Sequence, residues 1–245
     1  MILGRPEQDP GEGASLALAA HLVHDAASFV DVGAHLGYYV FQVRGSGFAG
    51  PVHWFEPHPE LAALLRSNVA RSGYTHVHGH EAALGAAPGR QVFHMHPVDP
   101  SQGTLEPREG TLPGPVRDVA VLTLDALLPA LPTGPLCLKV DVENAEMSFL
   151  DGGRHALERV DSLIMEVLGP GHEQGVVERL IREHGMHAYY VHGRRLEHSP
   201  DGRFTYTLPN LNWLFCRQDP AALRDRLRGT GFQVAVPNEN EVMDP

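Results

Sequence analysis

Short, almost wholly apolar runs that end at a carboxylate recur along this chain, each followed by a helix-like stretch. Ser28–Val32 contains Asp31, Val52–Glu56 ends on Glu56, Leu136–Val142 passes through Asp141, and Asp161–Val167 passes through Glu166. Apolar runs this short suit strands buried on both faces, as in a parallel sheet covered by helices. Between them, Ala14–Ala27, His35–Phe48, Pro59–Ser72, Leu124–Leu131, Ala145–Leu150, Arg154–Glu158, His172–His184 and Pro220–Arg228 read as helices. Pro59 fits a first helical turn, Gly73 and Gly185 fit helix ends, and Thr123 is placed to cap. Thr75–His80, Gln91–His96 and Val116–Leu122 read as further strands, and His187–Cys216 as strands and a hairpin. The alternation predicts an α/β fold with a mostly parallel sheet. In such sheets ligands bind beyond the carboxyl ends of the strands, near the topological switch point. The acids ending the runs are therefore the first candidates for function.

Composition narrows the classes. The 245 residues hold 19 Lys+Arg against 30 Asp+Glu, a net charge of −11. That balance argues against a partner held through its phosphate backbone, so no nucleic acid is expected. No run approaches the roughly 18 apolar residues of a membrane helix. Residues 1–13 read as a flexible arm without the pattern of a signal peptide, and 14–245 as one domain. Cys137 and Cys216 lie in apolar runs and read as buried free thiols, consistent with the cytoplasm. His78-x-His80 and His94-x-His96 each point two imidazoles one way along a strand. No third ligand stands at a clear spacing, so they read as surface histidines and no metal is expected.

The turn after the first strand is Asp31-x-Gly33-x-x-x-Gly37. Gly33 permits a tight turn and close approach of a ligand to the backbone, and Gly37 permits close helix packing. A pyrophosphate wants bare backbone donors at a helix start, and the Asp31 carboxylate would repel it. A cationic ligand with an amino-acid end would be held by it. Glu56, ending the second strand, is placed to accept hydrogen bonds from both hydroxyls of a ribose. Together these residues fit S-adenosylmethionine (SAM).

The same segments resemble the FkbM-type methyltransferase family. Phe29-Val30-Asp31-Val32-Gly33-Ala34-His35-Leu36-Gly37-Tyr38 looks like its first motif and Trp54-Phe55-Glu56-Pro57-His58-Pro59 like its second. Glu81-Ala82-Ala83-Leu84-Gly85, Val121-Leu122-Thr123-Leu124-Asp125 and Leu138-Lys139-Val140-Asp141-Val142-Glu143-Asn144-Ala145-Glu146 follow in order. Leu163–Val167 and Asn212–Phe215 fit its later strands. The resemblance implies a class I SAM-dependent fold of seven strands, the last antiparallel, with helices on both faces. It also implies that Asp31, Gly33, Ala34, His35, Gly37 and Tyr38 hold the methionine end. Glu56, Pro57 and His58 would hold the ribose, Ala82 and Ala83 the adenine edge, and Asp141 would lie near the transfer centre. His35 and His58 stand where asparagine is usual, and Asn144 replaces a usual glycine; asparagine is the least costly substitute if the backbone there is left-handed.

The reading that follows is O-methylation of a hydroxyl on a sugar or other small natural product. A hydroxyl needs a base, and Asp141 is the first choice by position, with Glu166, Lys139, Glu143 and His35 as other candidates. The alternation of Lys139, Asp141 and Glu143 puts all three on one side of an extended segment, where Lys139 reads as a structural partner. Alternatives are N- or carboxylate methylation of an amine, peptide or acid, and a non-catalytic SAM-binding partner protein. A nicotinamide oxidoreductase is disfavoured by the missing G-x-G-x-x-G. Pro97–Pro115 reads either as a lid or as a connector, and with His192–Pro209 it would line the acceptor pocket.

Overall fold

A computed structural model describes residues 10–107, 112–167, 172–202 and 212–236. In chain order the elements are α1 (Pro10–Leu22), β1 (Ser28–Val32), α2 (Tyr38–Gly45), β2 (Val52–Phe55), α3 (Pro59–Ser72) and β3 (Val77–His80). Then come β4 (Ala83–Leu84), β5 (Gly89–His94), β6 (Val116–Leu122), α4 (Leu124–Leu127), β7 (Leu136–Val140) and α5 (Glu146–Asp151). β8 (Val160–Glu166), α6 (His172–Arg182), β9 (His187–His192), β10 (Arg195–His198), β11 (Asn212–Cys216), α7 (Pro220–Arg226) and β12 (Gln233–Ala235) complete the chain.

The main sheet runs β12-β10-β9-β11-β8-β7-β1-β2-β3. Its five strands from β3 to β8 are parallel, and β11 enters antiparallel between β8 and β9. Seven of these strands carry the expected class I arrangement, the last of them in sequence, β11, being the reversed one. The sheet has nine strands rather than seven, because the hairpin partner β10 and the short β12 extend its edge. A separate sheet, β4-β6-β5, stands beside the main one.

Alternate residues of each strand feed opposite faces. Phe29 joins Leu18, Leu22, Val40, Val43 and Leu65 under α1, α2 and α3. Val30 and Val32 join Leu124, Phe149, Leu150, Val176 and Leu180 under α4, α5 and α6. Each such fully buried side chain stabilises the fold by about 1.5–3 kcal/mol relative to exposure. Cys137 and Cys216 are buried free thiols, each directly opposite Ser162 of the strand between them. Burial pushes both thiols up to about 12.

Several local expectations hold. β1, α3 and β6 have the expected bounds, and the Thr123 side chain accepts from the Ala126 amide to cap α4. Others need correction. Helix α1 begins at Pro10, inside the stretch expected as an arm; residues 1–9 lie outside the described residues. Helix α2 begins at Tyr38 rather than His35, because His35 (φ 50°) and Gly37 (φ 85°) are left-handed and cannot sit in a right-handed helix. No helix among the described residues is long and apolar enough to cross a membrane.

Candidate active site

The chain leaves β1 between two neighbours that run the same way, β2 on one side and β7 on the other. Backbone hydrogen bonds lock the three tips together. The Gly33 and Ala34 amides both donate to the Phe55 carbonyl at 3.0 Å, and the Asp141 amide donates to the Val32 carbonyl at 2.9 Å. A side chain at Gly33 has no room: a Cβ there would lie 1.8 Å from the Asp141 carbonyl oxygen, and φ is +74°. This is the switch point of the sheet, and the crevice beyond it collects the predicted acids.

Asp31 is 1% exposed, and neither carboxyl oxygen has a hydrogen-bond partner of good geometry. Burial pushes its carboxyl up to about 7, against the pull of the Lys139 ammonium and with Asp141 and Glu56 adding repulsion. Lys139 lies opposite Asp31 across β1 and β7. It is 4% exposed, with Nζ 3.4 Å from Asp141 Oδ2 and 5.1 Å from the centre of the Tyr39 ring. The ring is itself buried, and burial raises the Tyr39 hydroxyl well above its ordinary value. Lys139 therefore neutralises one carboxylate at close range and leaves Asp31 short of a cation.

Glu56 takes a different shape. Its Oε2 accepts the His35 amide at 2.7 Å and its Oε1 accepts the His58 amide at 2.8 Å. The Glu56 amide donates to the His80 carbonyl, so the whole residue is held between β1 and β3. Burial pushes its carboxyl up to about 7, although both amides favour the ionised form. Each oxygen keeps a second lone pair for a hydroxyl donor. The histidines standing in place of asparagine thus act here through their backbones. The His58 ring turns to Glu60, with Nδ1 3.0 Å from Oε2. Burial lowers the His35 imidazole, while Asp141 and Asp99 favour its charged form.

Other predicted residues fall at varying distances from this centre. Pro57 and Tyr38 are half-buried at the tips of β2 and α2, and Ala82 and Ala83 are buried just past β3. Asp141 shares a side with Lys139, as the alternation required. Glu143 does not continue the pattern: β7 ends at Val140, and Glu143 (φ 51°) and Asn144 (φ 85°) turn left-handed. The left-handed backbone expected at Asn144 is present. Glu166 ends β8 opposite Asn212, one strand farther from the switch point than Asp141. Trp54 is core: it is 1% exposed, with the Arg66 guanidinium 5.8 Å from its ring. His78 and His80 do point the same way, but they are not scattered. They stack with His53 of β2, at 4.7 and 5.5 Å between ring centres. Among the described residues no group of three or more His, Cys, Asp or Glu side chains is arranged to hold a metal ion.

Two contacts at the site depend on pairing between distant segments. Tyr39 serves as a floor for Lys139, and Thr104–Glu106 of the long loop docks beside the β7 tip, where the Asn144 side chain donates to the Glu106 carbonyl.

The arrangement fits SAM on its own terms. The cation that attracts the buried Asp31, Lys139, is paired with Asp141 instead, Gly33 leaves no room for a side chain, and the clamped Glu56 carboxylate has lone pairs to spare. The sequence profile of the methyltransferase FkbM domain matches residues 31–233. No curated protein matches the chain in sequence. Similar solved structures include an O-methyltransferase from Bacillus cereus in complex with SAH, 13% identical, covering 84% of this chain and 80% of that one at a TM-score of 0.47. A putative O-methyltransferase from Klebsiella pneumoniae is 15% identical, covering 88% and 91% at a TM-score of 0.47. An rRNA methylase from Streptococcus thermophilus is 9% identical, covering 88% and 96% at a TM-score of 0.45. Likeness at this level says nothing about the acceptor.

Proposed function

The chain belongs to the FkbM methyltransferase family, a family of SAM-dependent enzymes, and on that premise we propose that it methylates a hydroxyl of a sugar or other small natural product. When bound, SAM supplies an electrophilic methyl group, so the chain's tasks are placement, exclusion of water and removal of the acceptor's proton. In this reading Asp31 meets the positive amino-acid end, with Gly33, Ala34, His35, Gly37 and Tyr38 forming the loop around it. Glu56 accepts from the ribose hydroxyls, with Pro57 and His58 beside it, and Ala82 and Ala83 border the adenine.

One observation favours a hydroxyl acceptor. Asp141 reaches the crevice mouth with 32% of its side chain exposed, while its partner Lys139 is buried behind it at 4%. A carboxylate so placed is anchored from the rear and free at the front to take a hydroxyl proton. Lys139 is then a positioning residue for Asp141, and Glu166 stands aside from the transfer centre. The crevice carries Asp31, Glu56, Asp99 and Asp141 against one lysine, which disfavours a carboxylate acceptor by like-charge repulsion. The net charge of −11 similarly favours a small molecule over a nucleic acid.

The test is a mass-spectrometric screen for the gain of one CH₂ across sugars, hydroxylated aromatics, amines, carboxylic acids and RNA, run with wild type and Asp141→Asn. Product on a hydroxyl, with turnover falling about 100-fold or more in the variant, is the expected result. Product on an amine, an acid or RNA, or a wild type that binds SAM and yields no SAH with any acceptor, would sink this reading.

A further inference from the structure

Asn144, which stands where the family pattern has glycine, lies just past β7 beside Glu143. Glu143 and Asn144 are both left-handed, and the turn they make is fixed from within. The Asn144 amide donates to Oε1 of Glu146, a side chain with no exposure at all, at 3.1 Å. That leaves the Asn144 side chain pointing away from its own turn, and its Nδ2 donates to the Glu106 carbonyl at 2.7 Å. A glycine would fit the same backbone and make no such bond.

Glu106 ends a segment that is docked rather than loose. Thr104 pairs with His94 at the end of β5 through two backbone bonds of 2.8 and 2.9 Å, and its hydroxyl accepts the Glu106 amide at 2.9 Å. Thr104 and Leu105 are each 6% exposed. Leu105 packs with Phe93, Met95, Val119 and Val121 of the small sheet and with Ala145, the residue after Asn144. A Cβ on Gly103 would meet the Phe93 ring at 2.3 Å, so the approach to that core is close. At the other end of the segment a turn is built on Asp99, whose carboxylate accepts from the Ser101 amide and hydroxyl and from the Gln102 side chain. The segment thus reaches from the β7 tip, at Asn144, toward the β1 tip, where the field of Asp99 acts on His35.

We propose that Asn144 is a positioning residue for the acceptor half of the site: its side-chain amide latches Thr104–Glu106 as a fixed wall beside Asp141. The small sheet is the platform for that wall, and the latch joins platform to catalytic strand. The proposal rests on reading the β1–β7 crevice as the cofactor and acceptor site. It assigns Thr104–Glu106 to the acceptor because these residues meet the chain at Asn144 and Ala145, past the β7 tip, whereas the cofactor residues, from Asp31 to Gly37 and Glu56 to His58, lie at the β1 and β2 tips and only the Asp99 turn acts on one of them, His35.

Hydrogen–deuterium exchange on Asn144→Gly, with SAM calorimetry on the same samples, tests it. Glycine keeps the left-handed turn and removes the side chain that donates to Glu106. Amides of Thr104–Glu106 should exchange about five- to tenfold faster, the effect of one lost hydrogen bond, while the SAM dissociation constant stays within about twofold. Asn144→Asp tolerates the same backbone but turns an oxygen toward the carbonyl, so exchange should be faster still. In the wild type, saturating SAM should slow exchange at residues 33–37 and 56–58 and leave 104–106 unchanged. Unchanged exchange in both variants removes the latch. Protection of 104–106 by SAM, or SAM affinity lost with the Asn144 side chain, moves the wall to the cofactor half and overturns the assignment. Absence of SAM binding by the wild type would instead fail the reading of the crevice and is seen separately.

Discussion

Two groups of buried titratable side chains share strand β2 and its neighbours, and burial has opposite consequences in them. In the crevice, Asp31 and Glu56 are pushed up to about 7. On the β2–β3 edge, His53 is pushed down to about 4 by burial and by His78 and His80, and His80 is lowered by burial, His78 and Arg66. In each case the low-dielectric interior favours the neutral form. The difference lies in what the groups find once neutral. His53 Nδ1 lies 3.2 Å from His80 Nε2, and the His80 ring stacks on Phe55 at 4.4 Å. The imidazoles complete one another, leaving His53 Nε2 bare. Asp31 has the Val40 amide and the more distant Lys139 charge acting on it, and neither of its oxygens makes a hydrogen bond of good geometry. Both groups keep a bare buried atom, but the imidazoles have one another and Phe55 as neutral partners, whereas Asp31 is held by one amide and a lysine paired elsewhere. Burial and a displaced pKa are common to both, so neither marks function without the missing partner.

The comparison breaks most sharply at Asp31→Asn. The amide keeps the shape and removes the charge, so SAM affinity measured by calorimetry should fall about 10- to 100-fold, the value of a charged hydrogen bond. The apo protein should unfold at the same temperature or higher, since an unpaired buried acid has been removed. Affinity within twofold of wild type would mean that Asp31 does not meet the cofactor.

The next effect is on pH. Asp31 must be ionised to hold the positive end and Glu56 to accept from both ribose hydroxyls, and below about pH 7 each must first release a proton. SAM affinity should therefore level off above pH 7 and fall about tenfold or more by pH 5.5. Asp31→Asn should flatten that fall. A wild-type affinity that is flat from pH 5.5 to 8 would show that the carboxylates are ionised before the ligand arrives.

Much of this was legible in the residues. The acidic tips could be read because each apolar run has a definite end, and in a parallel sheet the ends of strands are the site. Gly33, Glu56 and Asp141 were picked out by that rule and lie at the three adjoining tips, and Asn144 takes the left-handed backbone that asparagine tolerates. What was missed depends on pairing between segments. Nothing near Ala83–Leu84 or Gln233–Ala235 separates such short strands from loops until a neighbour donates the hydrogen bonds. His78 is exposed as expected, but its stacking and that of His80 with the buried His53 arise only through the β2–β3 register. The docking of Thr104–Glu106 is likewise invisible in a loop rich in Pro, Gly and Ser, since it rests on Phe93 and Ala145 from far along the chain.

The smallest expected effect concerns acid stability, where the two groups pull in opposite directions. His53 titrates near 6.5 when unfolded and about 4 when folded, so the unfolded chain binds its proton first. Its contribution is fully present above pH 6.5 and is lost as pH falls toward 4. Asp31 and Glu56 titrate near 4 when unfolded and about 7 when folded, so the folded apo protein binds their protons first and gains stability as pH falls from 7 toward 4. In the apo wild type these slopes oppose one another. His53→Gln removes the imidazole's part: urea unfolding should show lower stability at pH 7.5 by about 1 kcal/mol for the lost contacts, a shallower loss from pH 6.5 to 4.5, and SAM affinity within twofold. Saturating SAM acts on the other part. By keeping the carboxylates ionised it cancels their acid gain, so the bound wild type should lose stability with acid more steeply than the apo protein. Parallel pH profiles for apo and bound wild type would show that ligand and protons do not compete for the same carboxylates, and the contrast between the two regions would collapse.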